Sequence, residues 1–121
     1  MSRAGARIAV SGANAARSFL RAELADVRFV TLGSGESAGE VVRDADMLVF
    51  VADEDETPDA ARIAALAEAA RTRGILVAAL IVAGARSPGR SPLLATLRDA
   101  ADMVIVIREP ADVQAVVAAL R

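Results

Sequence analysis

The sequence predicts an α/β fold: a single doubly wound, Rossmann-like parallel sheet of about five strands with helices on both faces. Three observations carry this expectation. Short aliphatic runs alternate with stretches of helical periodicity, as a parallel sheet with crossover helices requires. Two of the runs, Met47-Leu48-Val49-Phe50-Val51 and Ile75 to Val82, contain no polar residue, the pattern of strands covered on both faces. Two helix starts carry a hydroxyl residue followed by proline, at Thr57-Pro58 and Ser91-Pro92, where the hydroxyl caps free amides and proline sits where no donor is needed.

Taken in order, Ala6 to Val10 is a short first strand that ends at Ser11-Gly12, after which Phe19, Leu20 and Leu24 recur at helical spacing to about Ala25. Val27 to Leu32 is the second strand, closed by Gly33-Ser34-Gly35, and Glu36 to Arg43 makes a short helical or irregular crossing. Met47 to Val51 is the third strand. In the helix that follows, Asp59 lies in the first turn facing the dipole, Ile63, Leu66, Ala67 and Ala70 form the buried stripe, and Gly74 is placed as its C′ residue. Arg62, Arg71 and Arg73 fall on its solvated face. Ile75 to Val82 is the fourth and most apolar strand. Gly84 to Gly89 is a turn-rich loop, Leu93, Leu94 and Leu97 mark the next helix, and Met103 to Ile107 is the fifth strand. Glu109-Pro110 opens a last helix with Val113, Val116, Val117 and Leu120 inward. The segments 43–51 and 98–107 look alike, each placing an Asp, Asp46 or Asp102, at the mouth of an aliphatic strand; we read one local solution used twice.

Composition narrows the chemistry. The 121 residues suit one domain, 1–121, and 55% of them are hydrophobic, with three Phe and no Tyr or Trp, so the core is aliphatic and stacking on bases is nearly absent. There is no His, no Cys, and all 14 basic residues are Arg. That removes the commonest general base, the thiolate nucleophile, the Schiff-base amine, the phosphate-loop lysine and nearly all structural zinc sites. The net charge of −2, with acids and arginines interleaved, leaves no basic stripe for nucleic acid or an anionic membrane. The longest apolar run, Ile75 to Ala83, falls far short of the roughly 20 residues of a membrane span. Only Ile8-Ala9-Val10 follow Arg7 before a turn, too little for a signal-peptide core, so a cytoplasmic protein is expected.

Candidate site residues gather at predicted carboxyl strand ends, where open α/β sheets hold ligands. Ser11-Gly12-Ala13-Asn14 could hold an anion on the amides of a helix N-terminus, with Gly33 and Gly35 lining the same crevice. Asp53-Glu54-Asp55-Glu56 is an acidic run open to three readings: a solvated helix N-terminus, an epitope for an arginine-bearing partner, or a Mg²⁺ or Ca²⁺ site on Asp53, Asp55 and Glu56. Arg86 and Arg90 lie in the loop after the fourth strand and could meet a phosphate or a partner. No Ser, Asp or Glu has a visible base beside it, so no nucleophilic triad can be drawn.

From Asp44 onward the chain resembles FtsZ, the tubulin-like bacterial cell-division GTPase. In that family "A-D-M-V-F-V" leads into a glycine-rich phosphate loop, "A-R-x-x-G-I-L-T-V-A-V-V" follows, and "L-x-x-x-x-D-x-L-I-V-I" closes the series. Here Ala45 to Val51, Ala70 to Val82, and Leu97 through Asp102 to Ile107 stand in the same order. Ile8-Ala9-Val10-Ser11-Gly12-Ala13-Asn14-Ala15 is similar to the first strand and its "G-G-G-x-N-A" turn, and Val27 to Leu32 to the second strand. The departures fall on the phosphate loops: where the family has "G-G-G-T-G-T-G", this chain has Asp53-Glu54-Asp55-Glu56-Thr57-Pro58-Asp59, whose carboxylates block and repel phosphate. The family's insert between the second and third strands is reduced to a short crossing.

The resemblance implies the nucleotide-binding half of the family without the second, C-terminal domain that supplies catalytic acids in trans. The expectation is therefore no enzyme, and no GTP hydrolysis by this chain alone. It points to a non-catalytic domain acting in protein–protein interaction or assembly with itself, as a homodimer among other forms, or with a tubulin-like protein. The alternative is a small nucleotide- or anion-binding module that takes GTP, GDP or another anion at the Ser11-Gly12 turn, with Mg²⁺ bridging the acids.

Overall fold

The computed structural model describes residues 6–10, 27–31, 37–43, 45–53, 60–82 and 92–109, together with 112, 115 and 116. Five strands, β1 (Ala6–Val10), β2 (Val27–Thr31), β3 (Met47–Asp53), β4 (Leu76–Val82) and β5 (Met103–Ile107), form one sheet in the order β2-β1-β3-β4-β5. Every neighbouring pair is parallel. β2 lies on one side of β1, and β3, β4 and β5 lie on the other.

Three helices, α1 (Ala38–Val42), α2 (Ala60–Thr72) and α3 (Pro92–Ala100), fill the three crossovers from β2 to β5. All three of these crossovers step the same way along the sheet. A right-handed connection then puts all three helices on the same face, and they do share one core. Leu48, Phe50 and Ala52 of β3 and Val77, Ala79 and Ile81 of β4 pack with Val41 and Val42, with Ile63, Leu66 and Ala70, and with Leu97. The alternate residues Val49, Val51, Ala78 and Leu80 face the other way and are equally inaccessible. The centre of the sheet is thus buried on both faces, as its uninterrupted apolar sequence requires.

The helix ends follow their local chemistry. Ser37 caps α1 through its hydroxyl, which accepts from the Glu40 amide at 3.3 Å. α2 buries the predicted stripe Ile63, Leu66, Ala67 and Ala70 and ends in a Schellman turn at Gly74 (φ 72°). The Ile75 amide donates to the Ala70 carbonyl at 3.0 Å and the Gly74 amide to Arg71 at 2.9 Å. Pro92 is the first residue of α3, as the cap-plus-proline pattern predicts. The predicted start of α2 at Thr57-Pro58-Asp59 and the predicted first helix to Ala25 lie outside the described residues. Of the last predicted helix, Asp112, Ala115 and Val116 are helical and Val116 is half-buried.

Three details differ from the sequence reading. β3 runs two residues further than predicted and takes Asp53 into the ladder opposite Val82, because β4 continues beside it. Ile75 belongs to the turn and not to β4, its amide being used by the Schellman closure. β5 breaks the rule that a continuous apolar run is covered on both faces. Only Ile107 is buried and Val106 is 50% exposed, because β5 has the sheet on one side only and Val104, but not Val106, packs against the core.

Candidate functional site

The parallel sheet sends all its carboxyl ends to one rim, and that rim is the candidate site. β1 ends at Val10, β2 at Thr31, β3 at Asp53 and β4 at Val82. Since β1 lies between β2 and β3, the strands that precede Ser11, Gly33 and Glu54 in sequence are three neighbours in the sheet. In an open parallel α/β sheet, ligands bind where the strand order reverses, and here that lies between β1 and β3.

Of the predicted site residues, the described set contains Asp53. It is half-buried at the last position of β3, two residues past the end of the β1 ladder at Val10 and Val51, and it makes its own polar interaction there. By strand alternation it lies on the same face as Val49 and Val51, opposite the helices α1 to α3. Ser11, Gly12, Ala13, Asn14, Gly33, Gly35, Glu54, Asp55, Glu56, Arg86 and Arg90 lie outside the described residues. So does the second ligand of the Asp53–Asp55 metal reading. Among the described residues no three acidic, His or Cys side chains come together as a metal site, and no helix is long and apolar enough to cross a membrane.

The structure also assigns work to residues that the sequence reading treated as solvated. Arg71 of α2 reaches across to the end of α3, where its Nη2 donates to the carbonyls of Asp99 at 3.1 Å and Ala100 at 3.2 Å. Those are free carbonyls of a helix C-terminus, at the negative end of the dipole, so a guanidinium there both satisfies and neutralises them. Arg62 is half-buried and has its own partner, in place of the solvated position expected for it. Both arginines look like surface charges in sequence because nothing local tells which face the next helix will cover.

Between α2 and α3 runs a groove of about 550 Å³ floored by Ala64, Ala67 and Ala100 and edged by Glu68, Arg71 and Asp99. It carries both signs of charge. Its one cation is already bound to the α3 carbonyls, so the groove is the seam of a helix pair.

At the opposite end of the sheet Asp102 anchors β5. Its amide donates to the Val77 carbonyl at 2.8 Å, and its carboxylate Oδ2 accepts from the Val77 amide at 2.9 Å. The ladder proper begins one residue later, at Ala78 and Met103. The carboxylate therefore takes the place of a backbone acceptor for the first buried residue of β4.

No protein-family model and no curated protein matches the chain. Among solved structures, the chain is similar to a protein from Burkholderia pseudomallei described as pilus assembly-related. The two are 20% identical, with a TM-score of 0.46 over 98% of this chain and 91% of the other.

Proposed function

We propose that this chain is a non-catalytic α/β domain that works through protein–protein contact or assembly. In this reading it is a degenerate relative of the nucleotide-binding half of the tubulin-like GTPases, cytoplasmic, with a copy of itself or a tubulin-like protein as partner. The observation that carries the reading is the position of Asp53. A polyphosphate at the switch point needs approachable backbone amides at the carboxyl ends of β1 and β3. β3 instead ends in a carboxylate that is part of the ladder, and Glu54, Asp55 and Glu56 follow it in sequence. Those charges oppose an anion where the glycine loop of a GTPase would cradle one.

The strand order agrees with this reading without selecting it. A Rossmann order 3-2-1-4-5-6 that has lost its outermost strand reads the same as β2-β1-β3-β4-β5, which fits an insert reduced to α1. Since flavodoxin-like folds share that order, the family assignment rests on the sequence motifs. Helices on both faces belong to the proposal too: the step from β1 to β2 runs opposite to the other three, and a right-handed connection there crosses the face of Val49 and Leu80.

Calorimetric titration with GTP and GDP, with and without Mg²⁺, tests the loss of nucleotide binding. The expected result is no binding tighter than about 1 mM, equivalent to about 4 kcal/mol. Micromolar binding that Gly12→Asp abolishes would replace this reading with that of an anion-binding module at the Ser11-Gly12 turn. Co-sedimentation with a polymerising tubulin-like protein, alongside sedimentation of the chain alone, tests the assembly half. A chain that stays monomeric and remains in the supernatant contradicts it.

A further inference from the structure

We propose that β5 is a self-association edge, at which two copies of this chain pair their β5 strands antiparallel about a two-fold axis through Ile105 and join two sheets into one. The inference rests on the assembly reading above and gives it a surface and a partner.

β5 ends the sheet, and its five residues Met103-Val104-Ile105-Val106-Ile107 include no charge, proline or glycine. Edge strands of monomeric proteins are ordinarily blunted by such residues, because an open edge is a template for another strand. The backbone direction follows from Val77. Its carbonyl accepts from the Asp102 amide and its amide donates to the Asp102 carboxylate, so both of its groups face β5, and by alternation those of Ala79 and Ile81 do too. Opposite Val104 and Val106 in the parallel register, they bond Met103, Ile105 and Ile107, and Val104 and Val106 turn their backbone groups outward. Among the described residues none makes a backbone hydrogen bond to those outward groups.

The flanking charges select a second copy as the occupant and fix the register. Asp102 precedes the strand and Arg108 follows it, and both are exposed. An antiparallel pair centred on Ile105 sets residue 102 of one copy opposite 108 of the other, so Asp102 meets Arg108 at both ends of the seam. In the same register Val104 and Val106 exchange backbone hydrogen bonds with Val106 and Val104 of the second copy, Met103 faces Ile107 and Ile105 faces Ile105 across the axis, and Val106, half exposed in one chain, comes to lie beside Val104 of the other. A shift of one residue would separate the charges and turn the outward groups out of register. The two-fold contact closes on itself and yields a dimer instead of a filament.

Sedimentation velocity of the full chain over a range of concentrations, combined with amide hydrogen exchange, tests the proposal. The expected result is a monomer–dimer equilibrium in which exchange at Val104 and Val106 slows as the dimer forms. Arg108→Asp, at an exposed position that leaves the fold intact, faces Asp102 with a like charge and should raise the dissociation constant at least tenfold. Val106→Lys should raise it as well. A monomer at every concentration overturns the proposal, as does an assembly larger than a dimer. A dimer insensitive to Arg108→Asp whose protected amides lie elsewhere also overturns it, yet leaves the broader assembly reading standing. A monomer that nonetheless co-sediments with a tubulin-like protein separates the two in the same way.

Discussion

β4 and β5 are neighbours built from apolar residues throughout, yet they live in different environments. Leu76–Val82 is aliphatic throughout and buried from Val77 to Val82, whereas Met103–Ile107 is aliphatic throughout and buried only at Ile107. The cause is position. β4 has strands on both sides, the α1–α3 layer on one face and a second inaccessible face, while β5 has one strand neighbour. An apolar run therefore reports that a strand belongs to a sheet interior or to a contact, and the neighbour count decides which. A parallel sheet that finishes in a strand as apolar as its centre has an edge suited to a partner, whereas β2, the other edge, carries Arg28 and Thr31 in its sequence.

The largest expected effect comes from truncating the same kind of side chain in the two strands. Leu80 is fully inaccessible, and Leu80→Ala would remove buried methyl groups and leave a cavity, destabilising the domain by about 3–4 kcal/mol. Val106 is half exposed, and Val106→Ala should cost about 0.5 kcal/mol, within the range of ordinary surface changes. Urea denaturation of the two variants at a concentration where the wild-type chain is monomeric makes the comparison. Equal losses would mean that β5 is as much a core strand as β4, and the contrast drawn from exposure would fall.

The next effect separates the ways the two strands are started. Asp102 supplies the acceptor that the Val77 amide would otherwise lack at the first buried position of β4. Asp102→Ala strands that amide and should cost about 2 kcal/mol, since an unsatisfied buried donor loses its hydration without return. Asp102→Asn keeps a carbonyl oxygen at the same place and should recover more than half of the loss. Amide exchange at Val77 reads the bond directly, and unchanged protection in Asp102→Ala would show that the carboxylate is dispensable there.

Much of this architecture was legible in the sequence, and what was not has identifiable reasons. Five aliphatic runs, the stripe Ile63-Leu66-Ala67-Ala70 and the stop at Gly74 follow from periodicity and backbone chemistry, which are local, and the structure has each of them. The bond of Arg71 to the end of α3 spans 28 residues, and the Asp102–Val77 anchor spans 25. Neither has a local signature, although the similar placing of Asp46 and Asp102 before strands hinted that such an acid has work at a strand mouth. Among the described residues Asp46, at the corresponding place before β3, shows no bond like that of Asp102 to Val77. Of the candidate site, the location was legible, because parallel strands with helical crossovers must put their loops on one rim. Asp53 is the residue through which that rim can be described, and its inclusion in β3 depended on the length of β4 beside it, which no residue near Asp53 encodes.

The smallest of the three contrasts lies at Gly74, which turns the chain from α2 into β4 as Asp102 turns it from α3 into β5. Its φ of 72° is left-handed, and a Cβ built there meets nothing within 4 Å. The cost of Gly74→Ala is then backbone strain alone, about 1 kcal/mol, with no packing term to add. The Schellman bonds from Ile75 to Ala70 and from Gly74 to Arg71 hold that geometry, so the substituted residue must either accept the strain or release both bonds. Asn tolerates left-handed backbone better than Ala does, and Gly74→Asn should therefore lose less stability than Gly74→Ala in the same denaturation experiment. If Ala and Asn destabilise equally, the turn has relaxed away from positive φ, and β4 is held by its burial in the sheet and not by the way the chain is delivered to it.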